Sequence, residues 1–232
     1  MINKIKRKVK SLYPSLKFQK KSFSQCGEDL IVKFIFDNLG IKNPSYIDIG
    51  AHHPNYINNT TIFYNKNSLG INIEPDPVLF KEFQRLRKKD ININAGIAEK
   101  EELLNFYIMS VPTLNTFSKT EARNLEKEGY KISKVKKIQV LPIKKIIAEY
   151  ANDKFPDFLS LDVEGLDMEI LESIDYKNAP LIICVETISF SNSGKGIKDN
   201  TIADFLKDKG YMVYADTHIN TIFIKQDKWV NR

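Results

Sequence analysis

Tyr46-Ile47-Asp48-Ile49-Gly50-Ala51-His52-His53-Pro54 and, further along, Leu69-Gly70-Ile71-Asn72-Ile73-Glu74-Pro75-Asp76 are the two stretches that decide the fold of this chain. An apolar strand breaks at a glycine turn, and a second strand ends in a carboxylate. That succession is half of a nucleotide-binding sheet, in which the acid at the second strand's tip accepts hydrogen bonds from ribose hydroxyls. The pair of stretches therefore points to a ligand containing a nucleoside.

The composition of the turn narrows the ligand. A dinucleotide site needs G-x-G-x-x-G, because three glycines let the backbone approach a pyrophosphate at a helix N-terminus. Here Gly50 is followed by Ala51, His52, His53 and Pro54, a poor fit to a pyrophosphate. Asp48 also places a carboxylate inside the turn, which repels a phosphate and attracts an ammonium. S-adenosylmethionine has a cationic amino group and no phosphate. A nicotinamide-dependent oxidoreductase is the alternative, disfavoured by the single glycine and by the lack of a Tyr-x-x-x-Lys pair in the expected place.

Outward from this unit the pattern alternates. Leu30, Ile31, Phe34, Ile35 and Leu39 recur at helical spacing, so a helix is expected from Ser24, its cap, to Leu39, with Gly40 as the stop. Val78, Leu79, Phe80, Phe83 and Leu86 mark a second helix with Pro77 in its first turn, and Ile91 to Gly96 reads as a third strand. Glu102 to Met109 and Lys136 to Leu141 look extended, and the polar stretch Ser110 to Lys134 reads as a mobile excursion over the site. Strand and helix then resume: helix 143–150, strand 158–162, helix 166–174, strand 181–186, helix 201–209 and strands 211–215 and 221–225, the last two joined as a hairpin. The expected organisation is a basic segment over 1–22 and one domain over 23–232 with a central insertion at about 102–141.

The chain has 232 residues, 42% of them hydrophobic, enough for one substantial core. Its net charge of +6 gathers in Lys4, Lys6, Arg7, Lys8 and Lys10 and again around Lys131 to Lys137, a solvated lysine-rich surface on the plainest reading. A sharper one lays Met1 to Lys10, with Ile2, Ile5 and Val9 on one face, on anionic lipid or a partner complex. No aromatic stacking series accompanies the basic residues, so nucleic acid is not the expected substrate. Cys26 and Cys184 show no metal-ligand or paired spacing and read as packing residues of a reducing, cytoplasmic setting. No apolar run is long enough to span a bilayer, and the start lacks the apolar core of a signal peptide.

A further set of motifs carries a family resemblance. Phe23-Ser24-Gln25-Cys26-Gly27-Glu28-Asp29, Tyr46 to His52, Asn59-Thr60, Ile73-Glu74-Pro75, Phe158-Leu159-Ser160-Leu161-Asp162-Val163-Glu164-Gly165, Asp167 to Leu171 and Val185-Glu186-Thr187 occur in order over about Ser22 to Thr187. In these the chain resembles FkbM-type S-adenosylmethionine-dependent methyltransferases. The resemblance implies an α/β, Rossmann-like class-I methyltransferase fold: a mostly parallel seven-stranded sheet with helices on both faces and an antiparallel last strand. It also implies a bacterial O-methyltransferase acting on a hydroxyl of a sugar or glycan precursor. A non-catalytic module that docks on a glycan-assembly complex is the rival reading.

Roles follow residue by residue. Glu74, with Pro75 behind it, is placed for the ribose hydroxyls, Asp48 for the methionine amino group, and Gly50 and Ala51 for the turn against the cofactor. Asn94 and Ala95, with Gly96, end the third strand where the adenine edge is expected. Gln25, Asn59 and Thr60 are further cofactor-binding candidates, the last two also suiting a cap before Ile62-Phe63. Asp162, beside the cofactor at a strand tip, is the candidate base for the acceptor hydroxyl, with Glu164, Glu186 and His52 as further catalytic candidates. Asp162 and Glu186 at adjacent tips could also hold Mg²⁺ or another divalent cation.

Overall fold

The protein is described by a computed structural model covering residues 18–163, 165–188 and 196–232. The basic run Met1 to Lys10 and Glu164 lie outside these residues.

Seven strands form the main sheet: β1 (Tyr46–Ile49), β2 (Gly70–Ile73), β3 (Ile91–Ile93), β7 (Phe158–Leu161), β8 (Ile182–Glu186), β9 (Tyr211–Asp216) and β10 (Asn220–Lys225). Their order is β3-β2-β1-β7-β8-β10-β9. Pairing is parallel from β3 through β8, and β10 runs antiparallel to both β8 and β9. This is the expected fold class. Strand order reverses between β1 and β7, the switch point outside whose carboxyl ends ligands bind in open α/β sheets.

The period of two along each strand divides the side chains between two cores. Ile47, Ile49, Ile71, Ile73, Leu159, Leu161, Ile183 and Val185 face one side, against α5 (Ile143–Tyr150), α6 (Asp167–Glu172) and α7 (Thr201–Asp208). Tyr46, Phe158, Ile182 and Cys184 face the other, against α1 (Glu28–Asn38) and α2 (Thr61–Tyr64). Phe158 anchors this second core, its ring edge-on to both Phe36 and Phe63. Truncating such a buried ring costs about 3–5 kcal/mol. Two residues further on, the same face turns polar: Asn72, Asp48 and Ser160 stand in register across β2, β1 and β7. An apolar base and a polar rim on one sheet face set the site at the carboxyl ends.

Three expectations are corrected. The first helix starts at Glu28, because Gly27 takes φ 93° and the Ser24 hydroxyl accepts from the Gly27 and Asp29 amides ahead of the helix. The third strand ends at Ile93; the chain leaves the sheet, and β4 (Gly96–Ile97) pairs with β6 (Ile132–Leu141) in a second sheet completed by β5 (Glu102–Met109). The stretch Ser110 to Lys134 contains a 3₁₀ turn (Pro112–Leu114), the helix α4 (Lys119–Lys127) and the start of β6. Tyr107, Met109, Leu114, Ala122 and Leu125 form its own small core. Its polar composition hid that core because α4 is a surface helix with one apolar stripe.

No helix among the described residues is long and apolar enough to cross a membrane. Cys184 is buried, whereas Cys26, read from the sequence as a packing residue, is exposed.

Candidate active site

A cavity of about 440 Å³ opens at the carboxyl ends of β1, β2, β7 and β8, with the segment Pro112 to Phe117 as one wall. Its size is that of a small-molecule site. The turn after β1 forms its floor. The Gly50 and Ala51 amides both donate to the Ile73 carbonyl, at 3.0 and 3.2 Å, and the Asp162 amide donates to the Ile49 carbonyl at 3.1 Å. Gly50 has φ 75°, and a Cβ there would lie 1.8 Å from the Asp162 carbonyl oxygen, so only glycine fits.

Glu74 is buried at the cavity wall, with its two carboxyl oxygens accepting from the amides of His52 and Asp76, each at 2.7 Å. Burial pushes its pKa up to about 8; the two amides oppose the shift, and the charges of Asp76 and Asp48 add to it. Each oxygen keeps a second lone pair for a hydroxyl donor. Asp48 faces the same cavity but is largely engaged by protein. Its Oδ2 accepts from Asn58 Nδ2 and Thr60 Oγ1, both at 2.9 Å, and Ser160 also bonds to it. Desolvation raises its pKa, and these donors and the Arg87 charge pull it back down.

At the other end of the cavity, the carboxyls of Asp162 and Glu186 share a hydrogen bond. Asp162 lines the cavity as a residue open to solvent, with protein atoms crowded around its carboxyl. That crowding pushes its pKa up to about 7, with Asp167 and Asp48 adding repulsion. Asp167 is itself raised to about 6 by desolvation, against the amides of Val163 and Gly165 that it accepts. A carboxyl that titrates near neutrality can accept a proton from a hydroxyl. Among the described residues, which leave out Glu164, no group of three or more His, Cys, Asp or Glu is arranged to hold a metal ion.

Gln25, Ala51, Asn59, Pro75 and Ala95 also line the cavity. Asn59 Nδ2 donates to Ser160 Oγ at 3.2 Å. Gln25 is held there by the two buried acids that follow it. Asp29 accepts from Ser22, the Phe23 amide and Ser24, while Glu28 accepts from the Cys26 amide, Thr217 and Asn220. Desolvation acts to raise the Glu28 pKa, but its hydrogen bonds outweigh that and hold it below the usual range. His52 lines the cavity with φ 53°, its ring edge-on to Tyr56, and desolvation followed by the neighbouring His53 lowers its pKa.

Two expected cofactor ligands stand behind the wall instead. Thr60 is buried against Asp48, and Asn94 Nδ2 donates to the carbonyls of Glu74 and Pro75 at 2.8 and 2.9 Å, bracing the strand tip. Phe106 and Phe117, from the insertion, line the cavity unannounced by any motif, their ring centroids 4.7 Å apart. Gly96 makes room for them, since a Cβ there would meet the Phe117 ring at 2.5 Å. Arg87, fully buried under the turn, was also missed. The available signal was its spacing of four from Phe83 on the helix stripe.

The family model described as the methyltransferase FkbM domain matches residues 48–213. No curated protein matches the chain. Among solved structures, the chain is similar to the methyltransferase FkbM from Methylobacillus flagellatus, at 16% identity over 79% of this chain and 44% of that one, with a TM-score of 0.45. The chain thus spans less than half the length of that protein. It is also similar to a TehB-like SAM-dependent methyltransferase from Corynebacterium glutamicum (7% identity, 95% and 97% covered, TM-score 0.43). A third similar structure is precorrin-6y C5,15-methyltransferase from Geobacter metallireducens (15% identity, 84% and 85% covered, TM-score 0.37).

Proposed function

Because this chain belongs to the methyltransferase FkbM domain family, we propose that it transfers the methyl group of S-adenosylmethionine to a hydroxyl of a sugar or glycan precursor. The observation that carries this reading is the placement of Glu74 at one end of a single cavity and the Asp162–Glu186 pair at the other. The donor set suits this cofactor. Glu74 has free lone pairs for ribose hydroxyls, the aromatic wall of Phe106 and Phe117 offers an apolar seat for a base, and Asp48 at the cavity floor can accept a hydrogen bond from the methionine amino group.

When bound, S-adenosylmethionine supplies an electrophilic methyl group. The chain's own residues do the rest. Asp162, with its pKa near neutrality, accepts the proton of the attacking hydroxyl, and Glu186 shares that proton and holds the Asp162 carboxyl in place. A positioned base contributes about 10²- to 10⁴-fold. Gln25 and Asn59, both at the cavity wall, orient the acceptor. Pro112 to Phe117 wall the site on one side.

Calorimetric titration with S-adenosylhomocysteine tests the cofactor, with binding expected and NAD(H) giving no heat. Transfer of labelled methyl from S-adenosylmethionine across a panel of nucleotide sugars and oligosaccharides tests the acceptor. Binding of NAD(H) in place of S-adenosylhomocysteine would overturn the reading.

A further inference from the structure

Arg87 is the largest fully buried side chain of the molecule's described part, and it makes no contact with solvent or with the cavity. Its guanidinium spends its donors in two directions. Nε and Nη2 reach the Pro54 carbonyl at 3.1 and 2.9 Å, and Nη2 also reaches Asn58 Oδ1 at 2.9 Å and Thr61 Oγ1 at 2.8 Å. Nη1 turns the other way, to the Tyr46 hydroxyl at 3.1 Å and Asp90 at 3.4 Å. The rings of Tyr64 and Phe83 lie at 4.7 and 5.8 Å from its central carbon.

The contact with Asn58 has a consequence on the cavity side. Asn58 Oδ1 accepts from Arg87 and from the Thr60 and Thr61 amides, so its oxygen must face inward. The amide nitrogen is thereby aimed at Asp48 Oδ2 (2.9 Å) and the Ala51 carbonyl (3.0 Å), both on the floor of the cavity. With a neutral hydrocarbon in place of Arg87, the Asn58 oxygen would keep the Thr60 and Thr61 amides but lose its charged donor, and the Pro54 carbonyl in the turn would lose both of its guanidinium donors. The fork matters as well as the charge, since a lysine ammonium cannot span Pro54 and Asn58 with fixed parallel donors.

We propose that Arg87 is a positioning residue for the cofactor turn, acting through the Asn58 amide to fix Asp48 and the Ala51 carbonyl on the cavity floor. This rests on the reading of the cavity as an S-adenosylmethionine site. The Arg87 charge also opposes the rise that burial imposes on the Asp48 pKa, which supports the same role.

The test is calorimetric titration of S-adenosylhomocysteine into the full chain and its variants, with thermal melting in parallel. Arg87→Lys and Asn58→Ala are each expected to weaken binding at least tenfold. The double variant should bind no more weakly than Asn58→Ala alone, because the two act in series. Tyr46→Phe, which touches only the far side of Arg87, should lower the melting temperature and leave affinity within twofold. If Arg87→Lys fails to fold, Asn58→Ala against Tyr46→Phe decides, since both keep Arg87. Wild-type affinity in Arg87→Lys or in Asn58→Ala, full additivity in the double variant, or equal weakening by Tyr46→Phe would overturn the role. Failure of the folded wild type to bind S-adenosylhomocysteine would instead overturn the cofactor reading itself.

Discussion

The Asp162 carbonyl oxygen stands where a side chain on Gly50 would have to begin, 1.8 Å from the position of its Cβ. The contact zips the tips of β1 and β7 together at the switch point, alongside the Asp162 amide's bond to Ile49. It joins the turn of the cofactor half to the residue proposed as base. Gly50→Ala must move one strand tip off the other and also hold a left-handed backbone, which alone costs on the order of 1–3 kcal/mol. The variant is expected to lose at least that much stability in urea denaturation and to bind S-adenosylhomocysteine more than tenfold more weakly. Retention of both at wild-type level would show that the tips are free to separate.

Asp162→Asn is expected to lower kcat by about 10²- to 10⁴-fold, the usual contribution of a general base, with little change in S-adenosylhomocysteine affinity. The wild-type rate should rise with pH along a limb near 7, where Asp162 gives up its proton. Glu186→Ala leaves a lone acid in place of a hydrogen-bonded pair, so it should move that limb. A chelator separates the acid pair from a cation site. Unchanged turnover in EDTA is expected here, and a loss restored by Mg²⁺ would reassign Asp162 and Glu186 as its ligands.

How far the residues could be read in advance follows from the range of the forces that place them. The strands around Asp48, Glu74, Asp162 and Glu186 were legible, because their apolar runs and terminal acids are local signals that the parallel sheet then gathers at one edge. Arg87 was not, because a basic residue within Arg85-Leu86-Arg87-Lys88-Lys89 reads as surface until Pro54, Asn58 and Thr61 are brought to it. The same holds for Thr60 and Asn94. Their polarity in a motif suggested ligand contact, while their partners, Asp48 and the Glu74 and Pro75 carbonyls, are protein groups that need them more. Ser110 to Lys134 misled through composition alone, since a small core of Tyr107, Met109, Leu114, Ala122 and Leu125 leaves most of the segment polar.

Asn115 ties that segment to the cofactor strands. Its Nδ2 donates to Asp76 Oδ2 at 3.0 Å, its Oδ1 accepts from the Met109 amide at 2.8 Å, and Asp76 in turn donates through its amide to Glu74. Asn115→Ala removes this side-chain link while sparing the apolar side chains of the small core. It is expected to cost about 1 kcal/mol of stability and to speed S-adenosylhomocysteine dissociation several-fold in stopped-flow displacement. An unchanged off-rate would mean that the wall is held by its apolar contacts alone.

Glu74 makes the site sensitive to pH in two opposite senses. Its ordinary pKa of 4.5 is pushed by burial to about 8 in the fold, so between those values the folded chain keeps a proton that the unfolded chain has lost. Its contribution to stability is complete below about pH 4.5 and declines as pH climbs toward 8. The ligand-free protein should therefore melt lower at pH 8 than at pH 6, by on the order of 1 kcal/mol per pH unit at most, and Glu74→Gln should flatten that slope. Binding reverses the preference, because ribose hydroxyls donate to the carboxylate and favour its charged form. S-adenosylhomocysteine should release a proton at pH 7, seen as a binding heat that changes with the ionisation enthalpy of the buffer. Glu74→Gln should abolish that release and weaken binding about 10- to 100-fold, the worth of hydrogen bonds to a charged group. A melting temperature that stays level from pH 5 to 8, together with binding that exchanges no proton, would place the nucleoside somewhere other than against Glu74.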